Sequence, residues 1–75
     1  MDEKVLIFGK DTWPFTNAAR EAFAKGVKKI EYFNVVSNKE NLDKMLSYTD
    51  GKRKVPVCVD GEKVIIGFNG KAWRV

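Results

Sequence analysis

Short apolar runs along the chain alternate with segments whose apolar residues recur at helical spacing. Val5 to Phe8 is an unbroken apolar run closed by Gly9, which predicts a strand covered on both faces. The next apolar residues recur at i, i+3, i+4, i+7 and i+8, which predicts an amphipathic helix from Pro14 to a left-handed Gly26. The apolar face of this helix would consist of Phe15, Ala18, Ala19, Ala22 and Phe23.

The following segment repeats this alternation. Ile30 to Val36 is rich in β-branched and aromatic residues and predicts a second strand. Ser37 and Glu40 match a capping box, and helical spacing continues from there until Gly51. A second amphipathic helix is therefore expected between these residues.

Two further strands are predicted at Val55 to Val59 and Val64 to Ile66, with the hairpin dipeptide Asp60-Gly61 between them. The order β-α-β-α-β-β predicts a mixed sheet, because a helical crossover makes the first two strands parallel and the hairpin adds antiparallel strands. Residues 71–75 suffice for about one helical turn. We expect Trp73 in this turn to fold back as an apolar plug.

Composition limits the possible functions. With 75 residues, 44% apolar and 32% charged, the chain is expected to form one globular domain over residues 1–75. A single cysteine excludes an internal disulfide, and the lack of histidine excludes a histidine-containing zinc cage or a histidine-based triad. No apolar run could span a membrane, and Met1 to Lys4 does not resemble a signal peptide, so we expect a cytoplasmic monomer.

The net charge of +4 raises the possibility of a nucleic-acid partner. The basic residues are nevertheless dispersed, with local clusters at Lys25/Lys28/Lys29 and Lys52/Arg53/Lys54, and no aromatic ladder interleaves with them. We therefore favour simple solubility over nucleic-acid binding.

The junction of the first strand and first helix contains a mismatch. If Pro14 is the first helical residue, Trp13 is the N-cap, a position that favours a small side chain with an acceptor atom. Either Thr12 or Asp11 caps the helix instead, or the helix start is a site whose proper occupant is an anion.

From this junction onward, the chain resembles the glutaredoxins and the related small redoxins that supply electrons to ribonucleotide reductase. Their pattern is a strand, Lys-x-x-Cys-Pro-Tyr/Phe-Cys at a helix start, a later Val-Pro, and a hairpin ending in Gly-Phe. The matching residues are Lys10, Trp13-Pro14-Phe15-Thr16, Lys54-Val55-Pro56 and Ile66-Gly67-Phe68. The resemblance implies an α/β thioredoxin-like (glutaredoxin) fold with a mixed four-stranded sheet, a truncated C-terminal helix, and thiol-disulfide electron transport.

The two catalytic positions of this pattern carry other residues. Trp13 stands where the family has its nucleophilic cysteine, and Thr16 stands where it has its resolving cysteine. A thiolate at that helix start has a low pKa because amides, the helix dipole and a cation such as Lys10 stabilise it. The chain as written is therefore expected to be inactive in disulfide exchange.

The resemblance also suggests an origin for Trp13. Glutaredoxin-like selenoproteins of the UXX-star group carry selenocysteine-Pro-Tyr/Phe-Thr, and the selenocysteine codon UGA differs by one base from the tryptophan codon UGG. Our hypothesis is that Trp13 replaces a native selenocysteine through engineering or readthrough. The alternative is that Trp13 is genuine and the protein is a non-catalytic peptide-binding module.

Thr16 has two interpretations as well. A hydroxyl cannot resolve a mixed disulfide, so the enzyme would need an external thiol, such as glutathione or a partner's second cysteine. Alternatively, Thr16 only forms a hydrogen bond to the first helical turn.

The resemblance further implies a substrate surface. Val55-Pro56 would be cis, with the Val55 backbone pairing with a substrate strand or with glutathione, and Lys10 and Arg53 would meet a carboxylate of glutathione. The alternative is that Lys10 is a solvated loop cation and that Arg53 contributes only to solubility, and for Arg53 we favour this alternative. The remaining implied binding residues are Thr12, Pro14, Phe15, Gly67 and Phe68. Ile66 to Gly70 lacks the paired acids that hold the γ-glutamyl end, which favours protein disulfides over glutathione as partners.

No metal or bound cofactor is expected. A cluster-binding role requires a thiolate at the position of Trp13, so an iron–sulfur function is excluded for this chain. Cys58 lies among valines in a predicted strand and is expected to be a small buried hydrophobic residue rather than a catalytic thiol.

Overall fold

The structure is a computed structural model that describes residues 4–26 and 29–75, so Met1 to Glu3, Val27 and Lys28 lie outside it. The six expected elements are present in the expected order. The predicted strand from Val55 to Val59 is divided into two short strands, and one more strand lies near the end of the sequence. They are β1 (Lys4–Gly9), α1 (Pro14–Lys25), β2 (Lys29–Asn34), α2 (Lys39–Thr49), β3 (Lys54–Val55), β4 (Val57–Asp60), β5 (Lys63–Ile66) and β6 (Trp73–Arg74).

The main sheet has four strands in the order β2-β1-β4-β5. Strands β1 and β2 are parallel, β4 runs antiparallel to β1, and β5 runs antiparallel to β4. The predicted mixed sheet is therefore confirmed. A second, two-stranded sheet is formed by β3 and β6, which are antiparallel.

The core lies on both faces of β1, because alternate residues of a strand point to opposite sides of the sheet. Val5 and Ile7 are fully buried on the side of α1, and Phe8 is fully buried on the side of α2. The other buried members of the α1-side cluster are Ala19 and Cys58. Those of the α2-side cluster are Val35, Met45, Val55, Val57 and Val59. The prediction of a strand covered on both faces is confirmed.

Helix α1 runs from Pro14 to Lys25 with Gly26 as its C-cap, as predicted, but the conformation of Gly26 and part of the buried face differ from the prediction. Gly26 has a φ of −83° and is not left-handed, because its amide continues the turn by donating to the Phe23 carbonyl. Ala22 is exposed, and Thr16 is buried with Ala19 instead. The buried face of α1 therefore includes a polar residue that hydrophobic spacing alone does not indicate.

The capping prediction for α2 is wrong by one residue. Asn38 is the N-cap, and its side chain accepts hydrogen bonds from the amides of Glu40 and Asn41. The amide of Ser37 instead donates to Asn34 Oδ1, which fixes the preceding turn. The helix ends at Thr49, just before the predicted stop at Gly51.

The end of the chain forms a strand rather than the expected truncated helix. Trp73–Arg74 pairs with Lys54–Val55, so the backbone hydrogen bonds of this segment are made with β3 and not within a helical turn. Trp73 does fold back onto the molecule, but 47% of its surface remains exposed. Trp73 therefore packs on the surface against Trp13 rather than being buried in the core as expected.

Candidate functional site

The turn after β1 leads directly into α1. The amide of Trp13 donates to the Lys10 carbonyl at 3.0 Å, and the Thr16 amide donates to the Trp13 carbonyl at 3.0 Å. Trp13 occupies the N-cap with extended backbone angles and no side-chain capping hydrogen bond. Neither Thr12 nor Asp11 caps the helix, so that alternative is wrong. Asp11 Oδ1 instead accepts a hydrogen bond from the Tyr32 hydroxyl.

The backbone donors at this helix start are fewer than the sequence suggests. Pro14 has no amide hydrogen, and the Trp13 amide already donates to Lys10. Within residues 4–26 and 29–75, the amides of Thr12 and Phe15 have no backbone acceptor. These two donors and the positive end of the α1 dipole remain to attract an anion at position 13.

Thr16 is fully buried beneath the first loop. Its hydroxyl accepts a hydrogen bond from the Lys10 amide at 3.4 Å. A Cβ atom on Gly9 would lie only 2.3 Å from Thr16 Cγ2, so glycine is needed where β1 passes α1. Thr16 therefore joins the strand, the loop and the helix, and the hydrogen bond of its hydroxyl is made with the loop amide of Lys10 rather than with the first helical turn.

The indole of Trp13 lies between two aromatic rings. Its centroid is 5.1 Å from that of Phe15 and 5.3 Å from that of Trp73. It also packs against the α2-side cluster. Its Nε1 is buried and has no hydrogen-bond partner among the described residues, a situation that costs about 1–3 kcal/mol. Trp13 thus fills the N-cap position while its own indole N–H lacks a hydrogen-bond acceptor among the described residues.

Lys10 and Arg53, which the resemblance assigns to a carboxylate of glutathione, line the same groove. The groove has a volume of about 310 Å³ and also includes Trp73 and Arg74. Lys10 Nζ lies 5.0 Å from the centroid of the Trp73 ring, within range of a cation–π interaction. The positive charges at this groove come from two loops and from β6.

The Val55-Pro56 peptide bond is cis, which confirms the prediction. Both residues are fully buried, and the Pro56 carbonyl accepts a hydrogen bond from the Gly67 amide at 2.7 Å. The backbone of Val55 faces β6, where it is paired with Trp73. The edge that the resemblance assigns to a substrate strand is therefore already occupied by the chain's own residues.

The remaining predicted site residues are more dispersed. Pro14 is exposed at the start of α1, and Thr12 lines a shallow groove with Asn34 and Ser37. Phe68 packs against the α1-side cluster, on the other side of the sheet from the cluster that Trp13 contacts. The structure thus brings Lys10, Trp13, Phe15, Arg53 and Val55 together and leaves Phe68 in the opposite core layer.

Two features of the site were missed by the sequence analysis. Trp73 and Arg74 form part of the groove that Lys10 and Arg53 line. The one sequence signal for this was the β-forming character of Trp73 and Val75, which is compatible with the strand observed here. Beside the loop, Tyr32 is bonded to Asp11, and the Arg20 guanidinium lies 4.1 Å from its ring centroid. Burial and the hydrogen bond to Asp11 raise the pKa of Tyr32, so its hydroxyl keeps its proton at a pH at which an exposed tyrosine ionises.

Cys58 is fully buried in β4. Burial raises the pKa of its thiol to about 11, so the thiolate is scarce at neutral pH. Its burial agrees with the predicted role as a small hydrophobic residue of the core.

Alkaline pH should therefore weaken folding through Cys58. Burial raises its pKa from 9.0 to about 11, so the unfolded chain loses this proton first as pH rises. The stabilisation is fully present below about pH 9 and is lost towards pH 11, a change of about 2–3 kcal/mol. Urea unfolding of the chain and of Cys58→Ala at pH 8 and pH 10.5 should show the two free energies of unfolding converging at high pH. Parallel curves would contradict this prediction.

The described residues contain no group of three or more metal-ligating side chains that could hold a metal ion. No helix among them is long and apolar enough to cross a membrane.

Comparisons with known proteins agree with this geometry. The crystal structure of the glutaredoxin (grx-1) from Archaeoglobus fulgidus is similar, with a TM-score of 0.75 and 26% sequence identity over 89% of this chain and 77% of that chain. No curated protein matches significantly. A glutaredoxin family model matches residues 5–65, and the fold is thioredoxin-like. The chain belongs to the glutaredoxin family, whose fold and chemistry are those of thiol-disulfide oxidoreductases.

Proposed function

We propose that this protein is a glutaredoxin-like selenol- or thiol-disulfide oxidoreductase in which Trp13 occupies the position of the nucleophile. The observation that carries the proposal is the state of Trp13 at the start of α1. It caps the helix without an acceptor atom, and its buried indole N–H has no partner among the described residues. An ionised selenol or thiol there would instead accept hydrogen bonds and be stabilised by the helix dipole.

The surroundings of position 13 suit such an anion. The free amide of Phe15 lies two residues into the helix, and Lys10 lines the adjacent groove. Thr16 is buried and accepts a hydrogen bond from the Lys10 amide, and its hydroxyl cannot resolve a mixed disulfide, so position 16 supplies no second redox group. We infer that the natural nucleophile is selenocysteine, because the UXX-star pattern combines selenocysteine with threonine at this spacing.

The reaction follows from these residues. The anion at position 13 attacks one sulfur of a disulfide, forms a mixed disulfide or selenenylsulfide, and releases the other sulfur as a thiolate. An external thiolate then attacks the selenium or sulfur at position 13, which releases the second sulfur of the substrate as a thiolate and leaves the external thiol bonded to position 13. A second external thiolate attacks the sulfur of that bound group, which restores the anion at position 13 and joins the two external thiols in a disulfide. Two external thiols, or a dithiol partner, thus supply the two electrons, because Thr16 cannot.

The substrate is proposed to be a protein disulfide, with glutathione as a second possibility for the external thiol. Lys10 and Arg53 share a groove that could take a carboxylate. The segment Ile66 to Gly70 offers no acidic side chain for an ammonium group. A cytoplasmic location and a monomeric state remain predictions.

The natural codon for position 13 tests the selenocysteine assignment. We expect UGA in the source gene, followed by a structured element that directs selenocysteine insertion. A UGG codon would overturn this part of the proposal and would favour Trp13 as the native residue.

A non-catalytic peptide-binding module is the second candidate, and one observation favours it. An extended segment, β6, already pairs with β3 and stacks Trp73 on Trp13, so the groove holds a strand without any thiol. Peptide binding by the unaltered chain, together with inactivity of a Trp13→Cys variant, would favour this candidate over the enzyme.

A further inference from the structure

The β3–β6 ladder places two cations opposite each other. Trp73 is opposite Val55 and Arg74 is opposite Lys54, while the Val75 amide donates to the Arg53 carbonyl at 2.9 Å. Hydrogen-bonded and non-hydrogen-bonded pairs alternate in an antiparallel ladder, so Lys54 and Arg74 form the non-bonded pair, in which side chains are closest. Like charges at such a position destabilise the pairing.

Other features also make β6 a weakly held strand. The ladder has only two residues on each strand, and short two-stranded sheets are marginally stable. Trp73 is 47% exposed and Arg74 is also exposed. Besides the ladder and the hydrogen bond from the Val75 amide, the contacts that hold this segment are the stacking of Trp73 on Trp13, the position of Lys10 over the Trp73 ring and the packing of Val75 against the α2-side cluster.

Positive charge surrounds this strand. The groove of about 310 Å³ on one side is lined by Lys10, Arg53 and Arg74 among apolar residues. A second groove of about 280 Å³ is lined by Gly51, Lys52, Arg53, Lys54 and Arg74. Among the residues that the structure describes, no acidic side chain lines either groove, so the surface beside β3 is complementary to a negatively charged segment.

We propose that β6 is a displaceable occupant of the β3 edge, and that the preferred occupant is an acidic extended segment of a partner protein. The partner would add as an antiparallel strand, with a large apolar residue opposite Val55 and a carboxylate opposite Lys54. Pairing with the Val55 backbone requires a peptide backbone, which favours a protein partner over a nucleic acid. The inference rests on the proposed function for its biological meaning, since the partner would be the protein that presents the disulfide.

The test compares two fluorescein-labelled peptides that differ in one residue. One, Gly-Ser-Trp-Arg-Val-Ser-Gly, carries the sequence of the chain's own segment, and the other, Gly-Ser-Trp-Glu-Val-Ser-Gly, places a carboxylate opposite Lys54. Fluorescence anisotropy with the unaltered chain should show the glutamate peptide binding about threefold to tenfold more tightly. Methylation of the tryptophan backbone nitrogen in that peptide should abolish binding, because it removes a ladder hydrogen bond. Equal affinities, or binding that survives methylation, would overturn the proposal.

A variant of the internal strand tests whether β6 competes with the peptide. Arg74→Glu places opposite charges across the ladder, so β6 should be held more firmly and the glutamate peptide should bind about threefold to tenfold more weakly. Lys71→Glu is the matched control, because it changes the net charge equally at an exposed position outside the ladder. Equal effects of the two variants would contradict displacement of β6.

One further outcome completes the test. A single-stranded oligothymidylate that binds more tightly than the peptides and displaces them would assign the basic surface to nucleic acid and overturn the proposal. Because these measurements use the chain with Trp13 in place, they involve no redox chemistry. Failure of the oxidoreductase proposal would therefore leave the peptide result unchanged, and the two failures are distinguishable.

Discussion

The Trp13→Cys variant is expected to reduce a small aromatic disulfide at neutral pH at least about 10³-fold faster than the unaltered chain. The reason is the fraction of thiolate available in each protein. Cys58 is buried with a pKa of about 11, so only about one thiol in 10⁴ is ionised at pH 7. A thiol at the start of α1 should instead have a pKa of about 3.5–7.5 and be largely ionised.

The background of this experiment can be removed cleanly. Cys58→Ala in both proteins leaves position 13 as the only source of a thiol, since the chain has one cysteine. Trp13→Ser provides a matched variant with a small side chain and no thiol. A second variant, Trp13→Cys with Trp73→Ala, removes the ring that stacks over position 13 and guards against simple steric blocking. If both cysteine variants fold and neither reacts faster than Trp13→Ser, the oxidoreductase proposal is wrong.

The Gly9→Ala variant is expected to lose about 2–3 kcal/mol of the free energy of unfolding. The added Cβ would lie 2.3 Å from Cγ2 and 2.8 Å from Oγ1 of Thr16, a residue that is fully buried and cannot move aside. Overpacking of this kind costs about 1–3 kcal/mol. A domain of this size has only about 4–11 kcal/mol in total, so the midpoint of thermal unfolding should fall by more than about 8 °C.

A double-mutant cycle identifies the clash as the cause. In a Thr16→Ala background, the substitution at Gly9 should cost at least about 1 kcal/mol less, because the two clashing atoms are absent. Urea unfolding of the four proteins measures this coupling. Additive effects would show that the loss arises from the backbone of Gly9 and not from its contact with Thr16.

Much of the fold follows from local sequence signals. The apolar run of β1 indicates a buried strand, the dipeptide Asp60-Gly61 indicates a hairpin, and Pro14 marks the start of α1. The cis bond at Val55-Pro56 is different, since residue preferences favour trans and only the family resemblance indicated cis. Local rules and family patterns thus predicted different parts of the structure.

The parts that were not predicted depend on contacts between distant residues. Ser37 and Asn38 are both suitable N-caps, and the choice is made by Asn34, whose side chain engages the Ser37 amide. The segment at Trp73 is too short to have a strong preference of its own, and pairing with β3 makes it a strand. A short segment of this kind follows its tertiary partner rather than its sequence.

The sequence predicted which residues lie near one another at the candidate site, but not which of their backbone groups are already hydrogen-bonded within the chain. The motif correctly brought Lys10, Trp13, Arg53 and Val55 to one region. It did not indicate that the Trp13 amide is already bonded to Lys10, nor that β6 covers the Val55 edge. Both contacts depend on how the loop and the segment at Trp73 fold, and the motif specifies neither.

The pKa of the thiol in the Trp13→Cys/Cys58→Ala variant tests the central claim most directly. Thiolate absorbance near 240 nm, followed as a function of pH, reports the ionisation of that one group. If the helix start is built for an anion, the pKa should lie below about 7.5. A pKa at or above the ordinary value of about 8.5 would contradict the claim, because neither the amides nor the dipole of α1 would then be stabilising a charge at position 13.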